Sequence, residues 1–348
     1  MKAQSISTYG ASAALKALVS QNKAQLVKAR QEATTGTVFD VGLALGAKSG
    51  QTISLRKEYD RLDVLTDMNK LVQQRMATTQ TATTAIIEKA QNFLGDLTGA
   101  SNSPESVATA AKSARAMLDS ITGLLNTSYN GEYIFSGVNT DVKPVSNYTA
   151  GGLAQEAIHH AFKNHFGFAL DDAQVVGITG DEMKAFLDGD FADQFNDTNW
   201  GLNWSDASDT VIKSRISPTE TTETSISANA DGFRKAMMSA VMIAEFATIG
   251  LNSAAFEALT SKALSTTTQA VTETTSEQTT LGLAQSRTTA ATTRIAAQQK
   301  ILNHSVNNLE EVDPYEASVR VNALMTQMET SYALTVQLQN MSLLNYLK

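Results

Sequence analysis

The sequence predicts a mainly α fold: a long antiparallel, coiled-coil-like helical rod formed by both chain ends, with a mixed, mostly-β insert domain at the far end. Three observations predict it. Apolar residues recur at helical spacing over roughly 1 to 130 and again over 231 to 348. Between about 132 and 230 that period lapses, while Gly, Asp, Asn and aromatics rise. Only 4 prolines stand in 348 residues, so little interrupts long helices.

The first element is a thin stripe: Ile6, Leu15, Leu18, Leu26, Ala29 and Ala33. A stripe this sparse needs a partner helix. From Ile53 to Leu97 a longer helix is predicted, with Leu55, Leu62, Leu65, Val72, Met76, Ile86, Ala90, Phe93 and Leu97 in one heptad frame and Asn69, Thr79 and Thr83 in its polar slots. It would extend about 68 Å at 1.5 Å per residue. The next helix opens at SNSPESV, with Ser103 as N-cap and Pro104 at its first position. Val107, Ala111, Ala114, Leu118, Ile121 and Leu125 form its stripe, and Asn130-Gly131 is the turn that follows.

In the middle zone GEYIFSG, VVGIT, DTVIKSRI and TETSISA read as short strands, with one helix near Asp181 to Leu187. The third zone returns to helix. Its heptad stripe is Ala291, Ile295, Gln298, Leu302, Ser305, Leu309 and Val312, and Pro314 starts or kinks the next helix. The domain boundaries that follow are 1–36 with 306–348 as terminal helices, 37–142 with 231–305 as the helical rod, and 143–230 as the variable insert.

Composition excludes several functions. A net charge of −8 argues against nucleic acid, which needs a basic stripe, and against anchoring on anionic lipid. With no cysteine there is no disulfide, thiolate or Cys-ligated metal. The first residues lack the apolar core of a secretory signal, and no run of about 18 apolar residues is present to span a bilayer. The expectation is no membrane, no nucleic acid and no cofactor.

Four stretches invite sharper readings. GLALGAKSGQT brushes against a phosphate loop, but Ala47 stands where a Gly must precede Lys48, and no strand leads into it. It reads as a glycine-rich turn. AIHHAFKNHF places His159 beside His160 and His165 five residues on, a poor spacing for metal. Asp171-Asp172 and Asp181-Glu182 lack an accompanying nucleophile or base and read as turn and cap residues. Trp200 and Trp204 suggest a core aromatic pair ahead of a sugar platform. With no convergent set of nucleophile, base and oxyanion donors, the chain does not read as an enzyme.

The ending, ETSYALTVQLQNMSLLNYLK, is apolar on more faces than one partner can cover, so other subunits are expected to bury the rest. The longer stretch NLEEVDPYEASVRVNALMTQMETSYALTVQLQNMSLLNYL resembles the C-terminal region of bacterial flagellins and their relatives. QLVKARQEATTGTVFD, followed by the long helix from Ile53, is similar to the matching N-terminal half. Within that family NTSYNGEYIFSGVNTDVKPV, 126 to 145, looks most like the hook-associated junction proteins, of the third hook-associated kind. Filament flagellins have a longer turn there.

The resemblance implies a structural subunit joining hook to filament in the extracellular bacterial flagellum. It implies termini paired as helices lining an inner tube, and contacts with further copies, with hook-associated protein 1 and with flagellin. Open helical assembly of this sort needs heterologous contacts. It also implies unfolded passage through the flagellar type III export apparatus without a cleaved signal, and a cytoplasmic export chaperone. The subunit-contact candidates are Leu15, Leu18 and Leu26 near the start, with Leu324, Met328, Tyr332, Val336, Leu338, Met341, Leu343, Leu344 and Leu347 near the end. The chaperone-contact candidates are Leu334, Leu338, Met341 and Leu344. The competing readings are a filament flagellin and a soluble coiled-coil signalling or interaction protein.

Overall fold

The computed structural model describes residues 8–100 and 102–346, with side chains described as far as 337. It is mainly helical, with two small two-stranded antiparallel sheets. The chain forms two compact units, one made of residues up to Val64 and from Ala296 onward, the other of Leu65–Ile295.

Helix α1 (Thr8–Thr35) opens the first unit, followed by the short α2 (Val41–Leu45) and a 3-10 turn at Gly46–Lys48. Asp40 caps α2 by accepting a hydrogen bond from Leu43 N at 2.9 Å. The GLALGAKSGQT stretch is therefore helical turns leading into helix, with no strand before it. Helix α3 (Ser49–Thr98) is longer at its start than the apolar pattern from Ile53 indicates. Thr52, Leu62 and Val306 are buried in this unit, and Gln299 Nε2 donates to Asp63 Oδ1 at 3.3 Å.

The second unit takes up most of α3, then α4 (Pro104–Leu125). Ser103 Oγ accepts from Ser106 N at 3.3 Å, as an N-cap followed by Pro104 should. The stripe of α4 is buried at Ala111, Ala114, Leu118, Ile121 and Leu125. Strands β1 (Ser128–Tyr129) and β2 (Glu132–Tyr133) pair across Asn130-Gly131, whose φ angles of 52° and 85° fit the tight hairpin turn that dipeptide favours.

Between 143 and 230 the structure departs from the mostly-β reading. Helices α5 (Leu153–Phe166), α6 (Gly180–Asp188) and α7 (Asp197–Asn203) occupy much of it, ahead of the single hairpin β3 (Lys213–Ser217) and β4 (Glu220–Glu223). VVGIT is a 3-10 turn, Ala173–Gly177, and GEYIFSG gives only the two residues of β2. The expected helix near Asp181 to Leu187 is α6, fixed by a capping box between Thr179 and Glu182. The physical reason is the aromatic core. Phe162, Phe186, Phe191 and Phe246 meet at ring distances of 5.4 to 5.9 Å. Helical turns bring these rings to one side; alternation would divide them between two faces.

Two helices close the second unit. Helix α8 (Asp231–Phe246) packs on α4, and nearly all its residues are buried. The chain breaks at Gly250, φ +91°, and α9 (Ser253–Glu310) begins. Along 65–295, α3 and α9 run antiparallel. Asn69 Nδ2 donates to Thr292 Oγ1, Gln73 to Thr289 and Gln80 to the carbonyl of Gln278, the partner number falling as the α3 number rises. The expected polar slots are real: Asn69, Thr79 and Thr83 are buried. Thr79 and Thr83 return their hydroxyl protons to their own helix, to Arg75 O and Thr79 O, so neither is left unpaired. Pro314 starts α10 (Pro314–Tyr346), the last helix of the first unit.

Candidate assembly surface

Helices α1 and α10 pair with each other. The buried cluster between them is small: Leu26, Ala29 and Leu324, with Val321 and Met328 packed on it. Arg320 brackets it through Glu32 at 3.2 Å and Glu316 at 3.0 Å, and Arg30 Nη2 donates to Met325 Sδ at 3.7 Å.

Beside this pair the two connectors are laced together. Gly36 takes φ +70°, which a glycine adopts without strain. Thr37 and Glu311 form an isolated antiparallel bridge. Val38 N donates to Glu310 O and Val312 N to Gly36 O, each at 2.9 Å. Arg56 holds the Glu310 carboxylate with both Nε, at 3.1 Å, and Nη2. The Glu310 side chain is 4% exposed, and its hydrogen bonds raise the pKa of the Arg56 guanidinium further above its ordinary value.

The contact candidates divide into two groups. Leu26 and Leu324 are already covered within the chain, Met328 is half-buried against them, and Leu15 is half-buried. Leu18, Tyr332, Leu334 and Val336 stay exposed. The side chains of Leu338, Met341, Leu343 and Leu344, and the whole of Leu347, lie outside the described residues. Reading for a single stripe missed Val27, Val319, Met325 and Tyr315, which are large, apolar or aromatic, and exposed. The signal was present: these residues stand off the stripe on helices whose stripe was already complete. Isolated exposed apolar residues are common, but a helix pair carrying this many marks an interaction surface.

In the second unit the segment 126–145 mounts the insert on the helical core. Ile134 and Phe135 are fully buried, and Phe135 meets Phe233 edge-on at 5.5 Å. Ala228 N donates to Phe135 O at 2.7 Å, and Ser208 N to Ser136 O at 3.0 Å. Gly137 has φ +62°, and a Cβ there would sit 2.4 Å from Ser208 O and 2.6 Å from Thr210 O. Asn126 closes the segment on itself: Nδ2 donates to Val145 O at 2.9 Å, and Oδ1 accepts from Val145 N at 3.0 Å.

The other singled-out residues have structural places. His159 pairs with Glu245 at 2.7 Å and His165 with Asp190 at 2.6 Å, while His160 is exposed. A cleft of about 530 Å³ lies over His159 and His160, yet no group of three His, Cys, Asp or Glu among the described residues could hold a metal ion. Asp172 caps the 3-10 turn by accepting from Gln174 N. Trp200 and Trp204 stack at 5.6 Å and are buried, with Tyr148 stacked on Trp204 at 5.3 Å. They are core. Among the described residues no helix is long and apolar enough to cross a membrane.

Comparison with known proteins agrees with this arrangement. The family model of the bacterial flagellin N-terminal helical region matches residues 6–140, and that of the C-terminal helical region matches 264–347, together more than half of the chain. No curated protein matches the sequence. Among solved structures, a candidate flagellar hook-associated protein from Vibrio parahaemolyticus is similar, with a TM-score of 0.53 and 11% identity over 76% of this chain and 97% of that one. At that identity the likeness is one of fold.

Proposed function

We infer that this chain, which belongs to the bacterial flagellin family and is a structural subunit of the flagellum, joins hook to filament. One observation carries the junction role: the segment NTSYNGEYIFSGVNTDVKPV. It holds a two-residue hairpin turn, buries Ile134 and Phe135, and uses Gly137 where the backbone of 208–210 leaves no room for a side chain. That short stretch stands where filament flagellins carry a longer turn. The hook-associated description of the Vibrio structure supports the same reading.

Assembly proceeds through the terminal helices. Leu18, Tyr332, Leu334 and Val336 supply apolar surface that the α1–α10 pair leaves in solvent. Leu338, Met341, Leu343, Leu344 and Leu347 continue it along the sequence. Each exposed Leu or Val contributes about 1.5–3 kcal/mol when fully buried against a neighbouring copy, hook-associated protein 1 or flagellin. Before assembly the same surface requires cover, and an export chaperone binding Leu334, Leu338, Met341 and Leu344 supplies it until the type III apparatus passes the chain outward.

Immunogold electron microscopy of isolated hook–filament assemblies, with antibody against residues 150 to 225, tests this. The expected result is a single band where hook meets filament. Label along the whole filament would make the protein a filament flagellin. No label on the flagellum would point to the soluble coiled-coil reading.

A further inference from the structure

The seam of α1 has one residue out of pattern. Stepping by four and three, its positions are Leu15, Val19, 22, Leu26, Ala29 and Ala33, and position 22 is Asn22. The Asn22 side chain is 4% exposed. Its amide Nδ2 finds no acceptor among the described residues. A buried polar side chain of α10, Ser331, donates its hydroxyl to Gln327 O at 2.7 Å, within its own helix. A buried amide without an acceptor has lost its bonds to water and gained none. Helix pairs use such a residue to fix register, and it lowers their stability.

The surroundings make this matter. The buried cluster of the pair is only Leu26, Ala29 and Leu324. The ion pair of Glu32 with Arg320 and the laced connectors lie on the Thr35 side of Asn22, whereas Leu18, on its other side, is exposed. We infer that Asn22 is the set point at which the α1–α10 pair opens: the turns from Thr8 to Gln21 separate from α10 while the base at Leu26 and Leu324 stays closed. Opening returns the amide to water, so the step that loses apolar contact also relieves the orphan donor. The outer turns come free without unfolding the base.

The test is hydrogen exchange of the full-length chain, read by mass spectrometry on α10 peptides within 317–337, away from the substituted helix. Four proteins are compared: wild type, Asn22→Leu, Asn22→Ala and Asn22→Gln. Leu and Ala both remove the amide, and exchange in α10 should slow by roughly tenfold. Gln keeps an amide while raising helix propensity, and it should leave exchange as it is in the wild type. Ala decides the matter if Leu overfills the site. Equal or faster exchange in the Ala variant overturns the inference, since Asn22 would then be holding the pair shut. Slowing by Gln as large as that by Ala also overturns it, because propensity alone would account for the change. Both readings come from the single chain and do not depend on where the flagellum places it.

Discussion

Between Leu65 and Ile295 one core runs without a break from Met76 on α3 through α4, the insert and α8 to Ala284 on α9. In the unit made of residues up to Val64 and from Ala296, the buried apolar cluster is Leu26, Ala29 and Leu324. Both regions are built from helices with the same kind of periodic stripe, yet one covers its stripes and the other leaves Leu18, Val27, Val319, Tyr332, Leu334 and Val336 in solvent. Periodicity therefore locates a helix and one of its faces. It does not count the partners that will cover that helix. A closed core belongs to a part that is stable alone, and an open one to a part completed by other chains.

The largest expected effect lies in the closed region. Gly137→Ala puts a methyl 2.4 Å from a backbone oxygen at φ +62°, and neither the oxygen nor the bulge around it can give way cheaply. Destabilisation of about 3 kcal/mol or more is expected, seen as a lowered midpoint for the transition of the 65–295 unit in thermal unfolding followed by tryptophan fluorescence. An unchanged midpoint would mean that the 126–145 segment is looser than its hydrogen bonds indicate.

A smaller effect belongs to the open region. Arg56→Ala leaves the buried Glu310 carboxylate without its two guanidinium bonds. The guanidinium is more than half exposed, so solvent screening reduces what the pair contributes, and about 1–2 kcal/mol is expected. Exchange of the Val38 and Val312 amides should quicken while the tryptophan signal of the other unit stays as it was. Loss of both together would erase the contrast between the two regions.

The smallest is a pH effect on α6. Lys184 and Lys262 hold the Asp188 carboxyl below its usual pKa of 3.8. A depressed folded-state pKa contributes stability above the unfolded value and loses it as pH falls through the folded one. Wild type should therefore lose a few tenths of a kcal/mol more than Asp188→Asn between pH 5 and pH 3, because the carboxylate is over a third exposed. Parallel pH curves for the two proteins would remove Asp188 from the account.

Much of the architecture is local and was legible for that reason. Ser103 and Pro104 start α4, Asn130-Gly131 turns β1 into β2, Pro314 starts α10, and Asn69, Thr79 and Thr83 hold polar places in the seam of α3. Each depends on the residue's own backbone preference or on neighbours within one turn. The insert misled because its runs are short: VVGIT is β-branched and apolar, but five residues beside a Gly suit a 3-10 turn equally well. What decides there is the ring cluster of Phe162, Phe186, Phe191 and Phe246, gathered from residues up to 84 apart in sequence.

The candidate surface was half legible. That the last helix has too many apolar faces for one partner follows from composition and period alone. Which residues are used up inside the chain does not: Leu26 and Leu18 read alike, and only the seat of α10 buries one and leaves the other out. By itself the sequence determined where helices start and stop, that both ends are helical, and that the ends carry surplus apolar surface, since caps, turns and period act over a few residues. The tertiary structure alone decided the helical insert, the close approach at Gly137 and the burial of Asn22, because each depends on residues distant in sequence sharing one small space.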